Sequence, residues 1–135
     1  MTDPTVPEFT PTLVSKLKRR AKARTSADPL EATIEARVCS YAKERSVDHR
    51  KYVTPNYASS PDRVFYPGHG LAFFIEFKRK GRVATPKQER EHARLRNRGF
   101  DVYVVDNVED GMRVIDFWVT HTKALYGSVP ELPSA

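Results

Sequence analysis

Ser60-Pro61-Asp62-Arg63-Val64-Phe65, then Phe73-Phe74-Ile75-Glu76-Phe77-Lys78-Arg79, then Thr85-Pro86-Lys87-Gln88 follow one another between residues 60 and 88. In a strand, side chains alternate faces, so Glu76 and Lys78 point the same way and Phe77 the other. An acid and an amine set beside Phe73, Phe74 and Ile75 are expensive to bury unless they are paired or bind an ion. Val64-Phe65-Tyr66 reads as a second strand, and Pro67-Gly68-His69-Gly70 as the turn of a hairpin joining the two. An antiparallel hairpin brings Asp62 near Glu76 at one end of the sheet. Two carboxylates with a lysine beside them make a hard, oxygen-lined site for Mg²⁺ or Mn²⁺. Such sites assist phosphodiester hydrolysis.

Asp62…Glu76-x-Lys78, led by Pro61, resembles the PD-(D/E)xK nuclease motif. The wider context resembles its VRR-NUC branch. The resemblance runs from Thr33-Ile34-Glu35-Ala36 through Ser60-Pro61-Asp62-Arg63 and Ile75-Glu76-Phe77-Lys78-Arg79 to Gln88. It continues through Leu95-Arg96-Asn97-Arg98-Gly99-Phe100 and Val102-Tyr103-Val104-Val105-Asp106, so it spans roughly residues 30 to 108. A bare D…ExK is common by chance; the ordered set with its spacing and strand character is specific. The resemblance assigns the family's helix glutamate to Glu35, and many similar nucleases place a glutamine where Gln88 stands, near the substrate. It implies a stand-alone homodimer that cuts branched DNA, four-way junctions included, leaving 5′-phosphate and 3′-hydroxyl ends.

Length and charge agree with a nuclease without requiring one. The chain has 135 residues, one domain by size. Its 23 Lys+Arg against 17 Asp+Glu give a net charge of +6, which favours a polyanionic partner. The single Cys39 excludes an intramolecular disulfide and a cysteine-based zinc cluster, and its apolar helical surroundings make it a buried bystander. No long apolar segment or signal peptide is visible, so the expected setting is the cytoplasm of a bacterial or phage-infected cell, away from membranes.

Taken in order, the composition leads us to expect a basic, flexible arm over residues 1–27, the nuclease-like domain over 28–126 and a frayed tail over 127–135. Lys16, Lys18, Arg19 and Arg20 in the arm are candidates for DNA-backbone contact; the alternative is a solvated basic tail. Asp28-Pro29-Leu30-Glu31 reads as a helix start with Asp28 as N-cap. Leu30, Ile34, Val38, Tyr41 and Ala42 then make an apolar stripe. Glu35 lies at the edge of that stripe, from where an acid can reach over the sheet; Glu31, one turn earlier, competes for the role. Lys51-Tyr52-Val53 is a short strand candidate, with Lys51 either on phosphate or in solvent. Alternation turns Arg63 away from the site, as supporting structure. Arg79, Lys80 and Arg82 form a basic loop beside the acids, a second candidate DNA contact.

Thr85-Pro86-Lys87-Gln88 has the form of a capping box, which explains Gln88 structurally whether or not it also touches the site. A charged helix over 86–98, packing Ala93 and Leu95, stops at Gly99. Asp101 to Asp106 reads as a buried strand rather than an edge one, parallel to its neighbour. A last helix starts at Asn107, and its broad apolar face belongs to the core, with a dimer contact open as a second use.

The expected fold is therefore α/β, a PD-(D/E)xK nuclease-like mixed sheet flanked by helices in the order α-β-β-β-α-β-α. Asp62 and Glu76, joined by the carbonyl of Phe77, would hold Mg²⁺ or Mn²⁺, with Glu35 completing or supporting a second position. Lys78 would orient the attacking water or stabilise developing charge. Two other readings stand: an endonuclease of this fold acting on linear duplex, and a DNA-binding module in which Glu76 and Lys78 form a simple buried ion pair.

Overall fold

The strands lie in the spatial order β1-β2-β3-β4 in a computed structural model that describes residues 29–56 and 59–133. The elements are α1 (Glu31–Glu44), β1 (Asp48–Lys51), β2 (Arg63–Gly68), β3 (Leu71–Phe77), α2 (Pro86–Asn97), β4 (Asp101–Val105) and α3 (Val108–Tyr126). This is the expected order, and the sheet is mixed as expected: β1 and β2 pair antiparallel, as do β2 and β3, while β3 and β4 run parallel. Lys16, Lys18, Arg19, Arg20 and the expected cap Asp28 lie outside the described residues. Among the described residues no helix is long and apolar enough to cross a membrane.

The β2–β3 turn is made by His69 and Gly70, both at positive φ (56° and 80°). Two consecutive left-handed residues give the turn whose twist matches that of the strands it joins, and glycine adopts this geometry without strain. The register places Arg63 opposite Ile75. One step further along the hairpin, Asp62 faces Glu76.

Strand alternation sorts the sheet into two layers. Phe65, Phe73, Ile75, Phe77, Tyr103 and Val105 face α1 and α3, where they meet Ile34, Val38, Val114, Ile115 and Trp118. Phe73 stacks between Phe65 and Trp118, with ring centroids 5.1 and 4.9 Å away, and the Trp118 indole donates to the Tyr103 hydroxyl at 3.1 Å. Indole and phenol are thus buried with their polar ends satisfied. The two helices touch closely: a methyl at Gly111 would stand 2.4 Å from Val38 Cγ2, so this position admits nothing larger. On the opposite face Val64, Phe74 and Val102 form a smaller cluster with Leu95 of α2.

Four expectations change. Helix α1 starts later, with Leu30 as an N-cap lacking a side-chain bond, and Leu30 is 56% exposed rather than part of the apolar stripe. Strand β1 is shifted upstream to Asp-His-Arg-Lys, though Tyr52 N still donates to Asp62 O at 3.1 Å. Its charged sequence hides it from an apolar-pattern reading, and charge suits an edge strand because it discourages further pairing. Strand β4 is the other outer strand of the described sheet. It is apolar because α2 and α3 bury its two faces, and the Arg96 guanidinium donates to its Val102 carbonyl at 2.5 Å. Finally, the segment after Tyr126 lies against the hairpin turn: His69 stacks on Tyr126 at 4.5 Å, its Nε2 is 2.9 Å from Ser128 O, and Pro130 fills the space over Gly68.

Candidate active site

Asp62 and Glu76 meet where the β2–β3 hairpin opens, on the α2 side of the sheet. Asp62 Oδ2 accepts from Phe77 N at 2.7 Å, so the carboxylate is pinned across the hairpin end by backbone. In an extended strand a residue's N–H and C=O share one edge, so the Phe77 carbonyl opens toward Asp62 as well. Glu76 is 2% exposed. Its Oε1 accepts from Gln88 Nε2 at 2.7 Å and lies 3.5 Å from Lys78 Nζ. Its Oε2 is buried with no hydrogen-bond partner among the described residues.

The capping box at the start of α2 is complete: Gln88 N donates to Thr85 Oγ1 at 3.1 Å, and Thr85 N donates to Gln88 Oε1 at 2.9 Å. Gln88 uses its carbonyl for the cap and its amide nitrogen for Glu76. Its structural and its site role therefore coexist in one side chain. The packed face of α2 is Glu91, His92 and Leu95, while Ala93 is exposed, so the helix docks with polar side chains where an apolar pair was expected.

Burial is the main force on both acids. It pushes the Glu76 carboxyl up to about 7, reinforced by the Asp62 charge and only partly offset by Lys78. Burial also raises Asp62; the Phe77 amide opposes this, and Glu35 and Glu31 add to it. The Glu31 charge thus reaches both acids, whereas Glu35 contributes at Asp62.

Glu35 has another partner. Its Oε1 accepts from Arg63 Nε at 2.7 Å, with both side chains about four-fifths buried (21% and 20% exposed), and Arg63 Nη1 lies 3.3 Å from His49 Nδ1. Arg63 is turned to the α1 side as alternation requires. Glu35 borders Asp62 in a shared cleft together with Lys51, yet its Oε1 is engaged by Arg63. The reading of residues missed this pair because its members stand 28 positions apart, and only the β2 register brings Arg63 under α1. In the basic loop, Arg79 Nε is buried without a hydrogen-bond partner among the described residues, Lys80 is half-buried and Arg82 is exposed. The loop is held by Arg82 N donating to Arg79 O at 2.9 Å and Gly81 N donating to Asp106 Oδ2 at 3.3 Å.

Among the described residues no three His, Cys, Asp or Glu side chains converge as a metal-binding group. Two carboxylates, one carrying a buried oxygen without a donor, still suit a divalent ion that keeps most of its waters. The donor set is hard oxygen throughout, so Mg²⁺ or Mn²⁺ fits it and a softer ion does not.

No family model matches the chain. It is 36% identical over 77 residues to "Putative nuclease p44" of Acyrthosiphon pisum secondary endosymbiont phage 1, a match covering 57% of this chain and 83% of that protein. It also superposes on a solved "VRR_NUC domain" with a TM-score of 0.59 and 25% identity, covering 64% of this chain and 94% of that one. The acid pair at the hairpin end, the α-β-β-β-α-β-α order and these two likenesses agree, and the chain belongs to the VRR-NUC family.

Proposed function

We propose that the protein is a metal-dependent endonuclease that hydrolyses phosphodiester bonds in branched DNA, four-way junctions among them. The observation that carries the reading is Glu76 Oε2, a buried carboxylate oxygen with no hydrogen-bond partner among the described residues, beside a second acid. In a purely structural ion pair the buried carboxylate would have both oxygens satisfied. Lys78 at 3.5 Å and Gln88 at 2.7 Å serve only Oε1.

Asp62, Glu76 and the Phe77 carbonyl would hold Mg²⁺ or Mn²⁺, with Glu35 or Glu31 supporting from α1. When bound, the ion supplies Lewis acidity toward the scissile phosphate and lowers the pKa of a water. The protein's own groups do the positioning. The Phe77 amide fixes Asp62, and Gln88 fixes the rotamer of Glu76 so that Oε2 faces away from the cap. Lys78 projects on the same side as Glu76 and places an ammonium where negative charge grows on the phosphoryl oxygens. Arg79, Lys80 and Arg82 follow directly on the strand, and a phosphate arriving at the acids meets them as counter-charges. Lys51 and the basic arm extend that contact along the backbone. A homodimer, working in the cytoplasm of a bacterial or phage-infected cell, would present two such sites for paired incisions across a junction.

The test is cleavage of a labelled four-way junction beside the matching linear duplex, with Mg²⁺, with Mn²⁺ and with chelator, for wild type and Lys78→Ala. The expected result is paired, metal-dependent cutting of the junction, lost in Lys78→Ala. Equal cutting of both substrates would remove the branch preference and leave a general endonuclease. Tight binding with no cutting in either metal would remove the enzyme.

A further inference from the structure

A cleft of about 280 Å³ opens beside Asp62, lined by Glu35 of α1 and by residues of the segment that joins β1 to β2. Its wall carries Lys51, the hydroxyls of Thr54 and Ser60, and the carboxylates of Asp62 and Glu35. The two hydroxyls are bonded to each other and brace the loop. Glu35 is turned onto Arg63, so the wall on that side is neutralised rather than repulsive to a phosphate. Val53 stands at the rim with 77% of its surface exposed.

The cleft is small for a ligand site and far too narrow for a duplex. Its contiguity with Asp62 matters more than its size. Because Asp62 lines it, the cleft lies within reach of a nucleotide next to a scissile phosphate that rests on Asp62 and Glu76. Inside a duplex that nucleotide is stacked and paired, and it can enter only by leaving the stack, which is easiest where stacking is already interrupted. An apolar side chain on the rim can then cover the base left behind, as apolar wedges do at opened base steps.

We propose that this cleft is a subsite for a single unpaired nucleotide adjoining the scissile phosphate. Lys51 meets its phosphate, the Thr54–Ser60 brace faces its sugar and base, and Val53 fills the place it vacates. The inference rests on the nuclease reading above and deepens it: the subsite is what would make an unpaired branch point a better substrate than continuous duplex.

The test uses four-way junctions carrying 2-aminopurine at each nucleotide flanking the cut, a base whose fluorescence rises when it leaves the stack. The full-length Lys78→Ala protein holds the probe uncut, and the same chain with Val53→Ser is the comparison. Binding should brighten one flanking position and leave the others dark. Val53→Ser should abolish that rise and, in the otherwise wild-type chain, lower junction cutting about tenfold, the effect of withdrawing two methyl groups from a buried contact. Val53 is exposed, so an unchanged melting temperature is expected and separates this loss from misfolding. Junction cutting by wild type with no brightening at any position, or cutting by Val53→Ser at the wild-type rate, would overturn the subsite and leave the nuclease standing. Absence of cutting by wild type in Mg²⁺ and Mn²⁺ would overturn the nuclease itself.

Discussion

The two faces of the sheet treat charge in opposite ways. Toward α1, Glu35 meets Arg63 at 2.7 Å, Arg63 lies 3.3 Å from His49, and the layer beneath is a closed stack of rings. Toward α2, a buried Glu76 stands beside a half-buried Asp62, both carboxyls are raised, and one Glu76 oxygen has no hydrogen-bond partner among the described residues. The first face contains charge that has been matched. The second contains charge that raises the energy of the folded protein unless something else binds there. Buried groups left in that state mark functional sites more often than matched pairs do.

Glu76→Gln should separate the faces most sharply. It removes the unmatched charge and keeps the side-chain shape, so cutting should fall about 1,000-fold or more. The same variant, free of metal at pH 8, should melt higher than wild type by several degrees, since a buried repulsion has been withdrawn. A drop in both activity and melting temperature would mean that Glu76 is part of the matched structure.

Asp62 and Glu76 also set a pH dependence with a definite sign. Glu76 titrates at about 7 in the folded protein against an ordinary value of 4.5, so the folded state binds more protons across that window. The associated stability is complete below about pH 4.5 and is lost as pH rises through 7. Melting curves in chelator should therefore shift downward between pH 5 and pH 8, and Mn²⁺ should reverse much of that shift at pH 8 but little at pH 5. Equal effects of Mn²⁺ at both pH values would break the link between the metal and the acids.

On the matched face the expected order is reversed. Arg63→Met leaves Glu35 partly buried without its partner and should destabilise by about 1–3 kcal/mol, less than a fully buried pair because both groups keep some water. Cutting below the melting transition should fall much less than in Glu76→Gln. If Arg63→Met and Glu76→Gln lose activity equally at the same folded fraction, the division between the faces does not hold. The smallest effect belongs to Gln88→Ala, which opens the capping box and leaves Glu76 Oε1 with Lys78 alone. It should lower helix stability by about 1 kcal/mol and cutting by about tenfold. A variant that loses stability but keeps full activity would reduce Gln88 to its cap.

The sequence made the α2 face largely legible and the α1 face much less so. Asp62, Glu76, Lys78 and Gln88 lie within one hairpin and the helix after it, so alternation, a turn and a capping box are enough to bring them together. The Glu35–Arg63 pair depends on how α1 crosses β2, which no local pattern carries. Glu31 and Glu35 occupy successive turns of α1, and what separates them is tertiary: Glu35 is held by Arg63 beside Asp62, while the Glu31 charge reaches both acids. Strand β1 carries charge in place of an apolar alternation, and β4 reads as central because two helices cover it, although burial of faces says nothing about edges. The segment after Tyr126 reads as loose from its prolines; in the folded chain Pro130 fits over Gly68, a contact that exists only once the hairpin has formed.

The most direct test is calorimetric titration of Mn²⁺ into wild type, Glu76→Gln and Arg63→Met at pH 8, without DNA. Binding by wild type and Arg63→Met, with none by Glu76→Gln, would place the ion on the unmatched acids as required here. Undiminished binding by Glu76→Gln, or no binding by wild type, would contradict it.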